Sequence, residues 1–234
     1  MNKLLRNLLS ISLATGVVFA CAASSRAASV TVDPSQTWIG FMNVLNLPSA
    51  GGAYQFGSSW GTADLVATFS GPTLTLMPHS INDTNAYWYT PAGGPGATGN
   101  KITDASMYVE TTGLFSGQTL TFTGDVLANT LVGQVDANTN GWTSVAFVKD
   151  FAPDYSSSVT VTAPLVNGVF SLSLATIADP TRHVQYGFET IGPDVWITDV
   201  APYGNIQVTA VPEPATMTLI GLGLAGLMVV CRRK

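Results

Sequence analysis

The run Phe170-Ser171-Leu172-Ser173-Leu174 alternates large apolar with small polar side chains, and that period of two decides the fold class. In an extended chain successive side chains point to opposite faces, so one face of this segment enters a core while the other meets water. The same alternation recurs at Val159-Thr160-Val161-Thr162 and at Thr119-Leu120-Thr121-Phe122-Thr123. Strand-like sequence also covers 38–47, 65–69, 74–77, 107–112, 142–151, 184–190, 195–200 and 206–209, with Gly, Pro, Asn and Asp at the intervening turns. No stretch of the body carries a helical stripe of about twelve residues. The predicted fold is all-β, an antiparallel β-sandwich of jelly-roll type.

The body runs from 28 to 210, a length suited to one domain with a single core. Both cysteines lie outside it, Cys21 before and Cys231 after, so it has no disulfide and no thiol chemistry. The chain's net charge of −5 understates the body's acidity. Between Ser29 and Ala210 only Lys101, Lys149 and Arg182 oppose thirteen acidic residues, a net of −10. Such a surface repels nucleic acid and anionic membranes, which are bound through cationic contacts.

The two ends read as targeting segments. Lys3 and Arg6 precede the apolar run Leu8–Ala20 and a cluster of small residues, the pattern of a secretory signal peptide over 1–27. Cleavage after Ala27 is preferred to cleavage after Ala22. At the other end, Val211-Pro212-Glu213-Pro214 is followed by the uncharged run 215–231 and by Arg232-Arg233-Lys234. The prolines fix φ and lack a backbone donor, which leaves Glu213 in an extended stretch open to a processing enzyme. The apolar run can satisfy its own backbone groups in lipid only as a helix, and the terminal cations favour the cytoplasmic side. Its seventeen residues span about 25 Å. Together with Gly221, Gly223 and Gly226, that marginal length suits a temporary anchor.

The tail over 211–234 resembles the PEP-CTERM sorting signal of Gram-negative bacteria. The resemblance implies recognition by exosortase, the export machinery as partner, and transient residence in the inner membrane. Cleavage near 211–214 and delivery to the cell surface or extracellular matrix would follow. In the body, Ser116-Gly117-Gln118-Thr119-Leu120-Thr121-Phe122 resembles a strand of carbohydrate-binding jelly-roll modules, and 185–188, 196–200 and 205–208 are similar to their closing strands.

That likeness directs attention to aromatics able to stack on sugar rings: Trp60, Tyr87, Trp88, Tyr89 and Trp142. Three consecutive aromatics in a strand cannot all face one core, so at least one of 87–89 points outward. The leading expectation is a non-catalytic surface or matrix protein, with polysaccharide binding as the alternative. A secreted hydrolase is a distant third. The Gly57-Ser58-Ser59-Trp60-Gly61 stretch matches a nucleophile elbow, with Asp179 and His183 downstream, but the elbow needs a strand-to-helix turn on a parallel sheet. No cofactor is expected. Asp136, Asn138, Asn140 and Gly141 match the first half of a calcium loop, yet its twelfth position is Phe147 rather than a bidentate Glu, so a plain turn is the preferred reading.

Overall fold

The computed structural model describes residues 26–132 and 141–211. Residues 1–25 of the expected signal peptide 1–27, the calcium-loop candidates Asp136, Asn138 and Asn140, the tail residues Pro212, Glu213 and Pro214, the run 215–231 and Arg232, Arg233 and Lys234 lie outside the described residues. Among the described residues no helix is long and apolar enough to cross a membrane.

Fourteen strands and two short 3₁₀ turns make up the regular structure of the described residues. In chain order the strands are β1 (Arg26–Thr31), β2 (Ile39–Asn46), β3 (Tyr54–Trp60), β4 (Ala67–Ser70), β5 (Thr73–Leu76), β6 (Tyr89–Thr90) and β7 (Thr98–Gly99). They continue as β8 (Lys101–Thr112), β9 (Gln118–Asn129), β10 (Thr143–Phe151), β11 (Ser158–Pro164), β12 (Gly168–Ala175), β13 (His183–Pro193) and β14 (Ile206–Thr209). One sheet is wholly antiparallel in the order β11-β10-β13-β8-β2-β3. A second six-stranded sheet is built on the long strand β9, and β6 pairs with β7 in a small ribbon of its own. Strand β9 pairs β12 along one edge and shares its other edge between β1, which runs parallel to it, and β14, which continues to β5 and β4.

The alternation read from the sequence is what the core uses. Leu120 and Phe122 on β9, with Phe170, Leu172 and Leu174 on β12, are buried on the inner face of their sheet. Met107 and Val109 on β8, and Val184, Tyr186 and Phe188 on β13, form the opposing face. The Phe122 ring joins the sheets, with centroids 5.3 Å from Phe170, 5.3 Å from Tyr186 and 5.5 Å from Phe188. These tilted and edge-on contacts are the favoured geometry for aromatic rings. The result is a β-sandwich with one main core and a small second cluster of Trp142, Val195 and Val200, in the all-β class expected from sequence.

Two local expectations differ from the structure, and one strand lies outside those expected. Of residues 57–61, read as a glycine-serine loop, the first four belong to the edge strand β3, where Ser59 sits opposite Phe41. Residues 195–200, read as a strand, make a single bridge between Val195 and Ser80 and then turn, with the Asp199 N–H donating to the Trp196 carbonyl. The turn lets Trp196 and Val200 both be buried while Ile197 is exposed, a pattern that no period of two supplies. The first strand begins at Arg26, which pairs with Gln118. Cleavage after Ala22 leaves this strand whole, whereas cleavage after Ala27 removes its first two residues.

Candidate ligand cleft and sorting tail

At one end of the sandwich the chain between β5 and β8 folds against the 194–203 segment and the end of β3. Asx turns shape it. Asp83 Oδ1 accepts from the Asn85 N–H (2.9 Å), Asn85 Oδ1 accepts from the Tyr87 N–H (2.8 Å), and the Trp88 N–H donates to the Asn85 carbonyl (3.0 Å). Short Asp and Asn side chains compete well for local backbone donors, which is why this sequence turns here. The turns deliver Tyr87, Trp88 and Tyr89 to three different environments.

Tyr87 is the outward residue of the three, with the Lys101 ammonium 4.2 Å from its ring centroid. Tyr89 is fully buried. Its hydroxyl accepts from the Ile81 N–H (3.0 Å) and lies 2.6 Å from the Ile81 carbonyl and 2.9 Å from that of Val195. Burial raises its pKa, so it remains a neutral phenol. Trp88 is largely buried, edge-on to Tyr87 (4.9 Å) and to Phe56 (6.1 Å).

Trp88 nevertheless lines a cleft of about 720 Å³, and Trp60 lines it too. The polar residues around this cleft are Asp64, Ser80, Asn82, Asp83 and Thr198, and its apolar walls include Ile81, Ile197 and Val200. The volume lies within the usual range for small-molecule sites, and a mostly apolar lining with a few polar groups is their usual composition. Half-buried Trp60 is fixed by its indole N–H donating to Ser58 Oγ (2.8 Å). The His79 ring stands edge-on to it at 5.9 Å. His79 is buried and neither ring nitrogen has a hydrogen-bond partner, and desolvation pushes its pKa down to about 4. It is neutral at physiological pH.

Trp142, the fifth aromatic singled out from sequence, lies apart from the cleft. Its indole N–H donates to the Pro193 carbonyl (3.0 Å), its ring packs on Tyr203 (4.5 Å), and Gly192 lies so close beneath it that any Cβ there would strike the indole. Beside it is a second cavity of about 200 Å³ lined by Asp194, Asp199 and the 96–99 segment. Asp194 is buried, and its pKa is pushed up to about 7 by desolvation, which outweighs the Lys101 N–H bond it accepts.

The other acids and the elbow match have ordinary surroundings. Glu189 pairs with Lys149, and Glu110 accepts from Gln185 Nε2 (2.6 Å) and from the Tyr155 hydroxyl (3.0 Å). Asp150 is fully buried and receives Arg182 Nε (2.9 Å) and the Ile177 N–H (2.8 Å). Ser59 is exposed in mid-strand, Asp179 accepts from the Thr181 hydroxyl and N–H, and His183 stacks on Tyr155 at 4.5 Å. Sequence proximity already set Asn82 and Asp83 beside Trp88, whereas Asp64, and the joining of Trp60 to this group, went unseen. The nearest signal was the density of Asn and Asp ahead of Tyr87, which marks a turn but names no partner.

The class defined so far is a β-sandwich with a tryptophan-lined cleft at one end. Comparison with known families adds its destination: the family model of the PEP-CTERM protein-sorting motif matches residues 210–234. No curated protein matches the chain. The matched signal marks an exported protein that is anchored transiently in a membrane and then processed by exosortase. Val211, at the end of the described body, follows by two residues the end of β14, an interior strand paired with both β9 and β5.

Proposed function

We propose that this protein is a non-catalytic component of the cell surface or extracellular matrix of a Gram-negative bacterium, released from the inner membrane through its tail, and that its body binds polysaccharide. The observation that carries the binding reading is the shared cleft of Trp60 and Trp88. Sugar rings offer apolar C–H faces to indoles and hydroxyls to carboxylates and amides, and Asp64, Asn82 and Asp83 rim the same space. A jelly-roll arrangement of the strands fits this reading. Neutral glycans suit the cleft better than anionic ones, because the body's net charge of −10 repels polyanions.

The test is binding to neutral and acidic polysaccharides by the full chain in detergent, with Trp60→Ala and Trp88→Ala as variants. Retention on a neutral glycan that falls at least tenfold in Trp60→Ala supports the proposal. No retention on any polysaccharide of the producing cell, or retention that both variants keep, overturns the binding reading and leaves a structural role for the body. Trp60 is the cleaner probe, because Trp88 also packs against Phe56.

A further inference from the structure

The second cavity, between the 96–99 segment and the 193–203 segment, is lined by two carboxylates and by no lysine or arginine. Asp194 is 1% exposed. Its Oδ1 accepts from the Lys101 N–H (3.0 Å), whereas its Oδ2 is buried with no hydrogen-bond partner. A carboxylate oxygen buried without a donor is costly, and native structures rarely leave one so; the Lys101 charge acts on Asp194 but does not offset its burial. Asp199 lines the same cavity. Its Oδ2 accepts from the Gly96 N–H (2.6 Å) and its Oδ1 from the Thr198 hydroxyl (2.9 Å), which fixes its orientation and leaves lone pairs on both oxygens.

None of the body's three cations forms an ion pair with either acid. Lys149 pairs with Glu189 and Arg182 with Asp150. The Lys101 ammonium is bonded to Asn46 Oδ1 (3.0 Å) and lies over Tyr87. The rest of the lining is Gly96 and Gly99, which present only backbone, Thr98, and the apolar or aromatic Ala97, Trp142, Pro193, Val195 and Tyr203. Gly99 is required there, since a Cβ would meet the Asp194 main chain and side chain.

From this geometry we infer a calcium site in which Asp194 and Asp199 bind one Ca²⁺ between the 96–99 and 193–203 segments. The donor set is oxygen alone, which suits a hard cation and not zinc. Among the described residues no three His, Cys, Asp or Glu side chains cluster for a metal, so main-chain oxygens and water complete the shell. Calcium tolerates that mixture and variable geometry, whereas magnesium demands a near-ideal octahedron. Because Asp199 lies between Thr198 and Val200, both on the wall of the larger cleft, the ion would brace that wall. The site is independent of what the cleft binds.

The test is thermal unfolding of the full chain in detergent, freed of metal with chelator and titrated with calcium chloride. Sites of this kind in exported modules bind in roughly the 0.1–1 mM range. Calcium about 100-fold above its Kd raises Tm by about 5–10 °C for a body of this size. Asp194→Asn and Asp199→Asn each abolish the rise. Both are isosteric and remove a charge, so folding is retained. Trp142 lines the cavity and reports independently, because bound terbium emits when the indole is excited, and calcium displaces it. Three results overturn the site: no calcium-dependent rise, an equal rise in both variants, or a rise that survives them and disappears in Asp136→Asn, which assigns the ion to the 136–141 loop.

Discussion

The Tyr89 hydroxyl lies 2.9 Å from the Val195 carbonyl and bonds both polar backbone groups of Ile81, so one phenol joins the two segments that wall the cleft. Tyr89 and Val195 are 106 positions apart, and Tyr89 is wholly buried. Tyr89→Phe keeps the ring and removes the only partner that this side chain gives the Ile81 N–H. It should destabilise the body by about 1–3 kcal/mol, the cost of leaving buried backbone groups unpaired. Urea unfolding measures this as a lower midpoint with an unchanged slope.

Arg182 and Asp150 give a larger effect. Arg182 donates to Asp150 Oδ1 at 2.9 Å and to the Asp150 carbonyl at 2.8 Å, and both side chains are nearly inaccessible. Arg182→Ala strands a fully buried carboxylate and should cost about 3–5 kcal/mol. Ser156→Ala, on the exposed turn after β10, should change stability by no more than about 1 kcal/mol, since its bonds to Asp154 face solvent. Equal losses in the two variants would show that Asp150 does not depend on Arg182.

The strand pattern was legible because Phe170, Leu172, Leu174, Leu120 and Phe122 follow the period that a two-layer core demands. The early strand at 26–31 was concealed by its place inside a targeting-like stretch. Strand 54–60 was concealed because an edge strand with one half-buried face can be built from Gly, Ser and Gln. The cleft was half legible. Tyr87, Trp88 and Tyr89 marked the region, and alternation required one of them to face outward. Which ring packs, which pins backbone and which lines a cavity depends on Phe56, Val195 and Trp60, brought in by distant strands. Trp142 and Asp194 show the same limit. A tryptophan after an Asn-Gly turn looks exposed until Gly192 is seen to lie beneath it, and an aspartate in a turn-rich stretch gives no sign of burial.

His79 sets a pH dependence. Its ring is buried and held neutral, with a pKa of about 4 in the fold against about 6.5 in the unfolded chain. Above about pH 6.5 neither state is protonated and the full stability is present. As pH falls from 6.5 towards 4 the unfolded chain takes up a proton that the fold refuses, and stability declines by about 3 kcal/mol in total. His79→Phe, which keeps an aromatic ring beside Trp60, should remove this component. The check is the difference between the two proteins' urea midpoints at pH 7 and pH 4.5. A difference that is constant with pH would mean that His79 titrates in the fold as it does in the unfolded chain.

The core carries the remaining prediction on stability. Phe122 meets aromatic rings of both sheets, so Phe122→Ala opens a cavity at their junction and should cost about 3–5 kcal/mol. The exposed Val169 on β12 should tolerate Val169→Thr within about 0.5 kcal/mol. Paired urea titrations distinguish the two, and a Phe122 variant as stable as the Val169 variant would place the core elsewhere.

Export with processing at the tail is the foundation of the account, because it decides where the body works and which polymers it meets. Intact-mass measurement of the protein recovered from outside the producing cells tests it most directly. The account predicts a chain that ends near Val211–Pro214 and lacks Arg232-Arg233-Lys234. A surface form that keeps those three residues would contradict it.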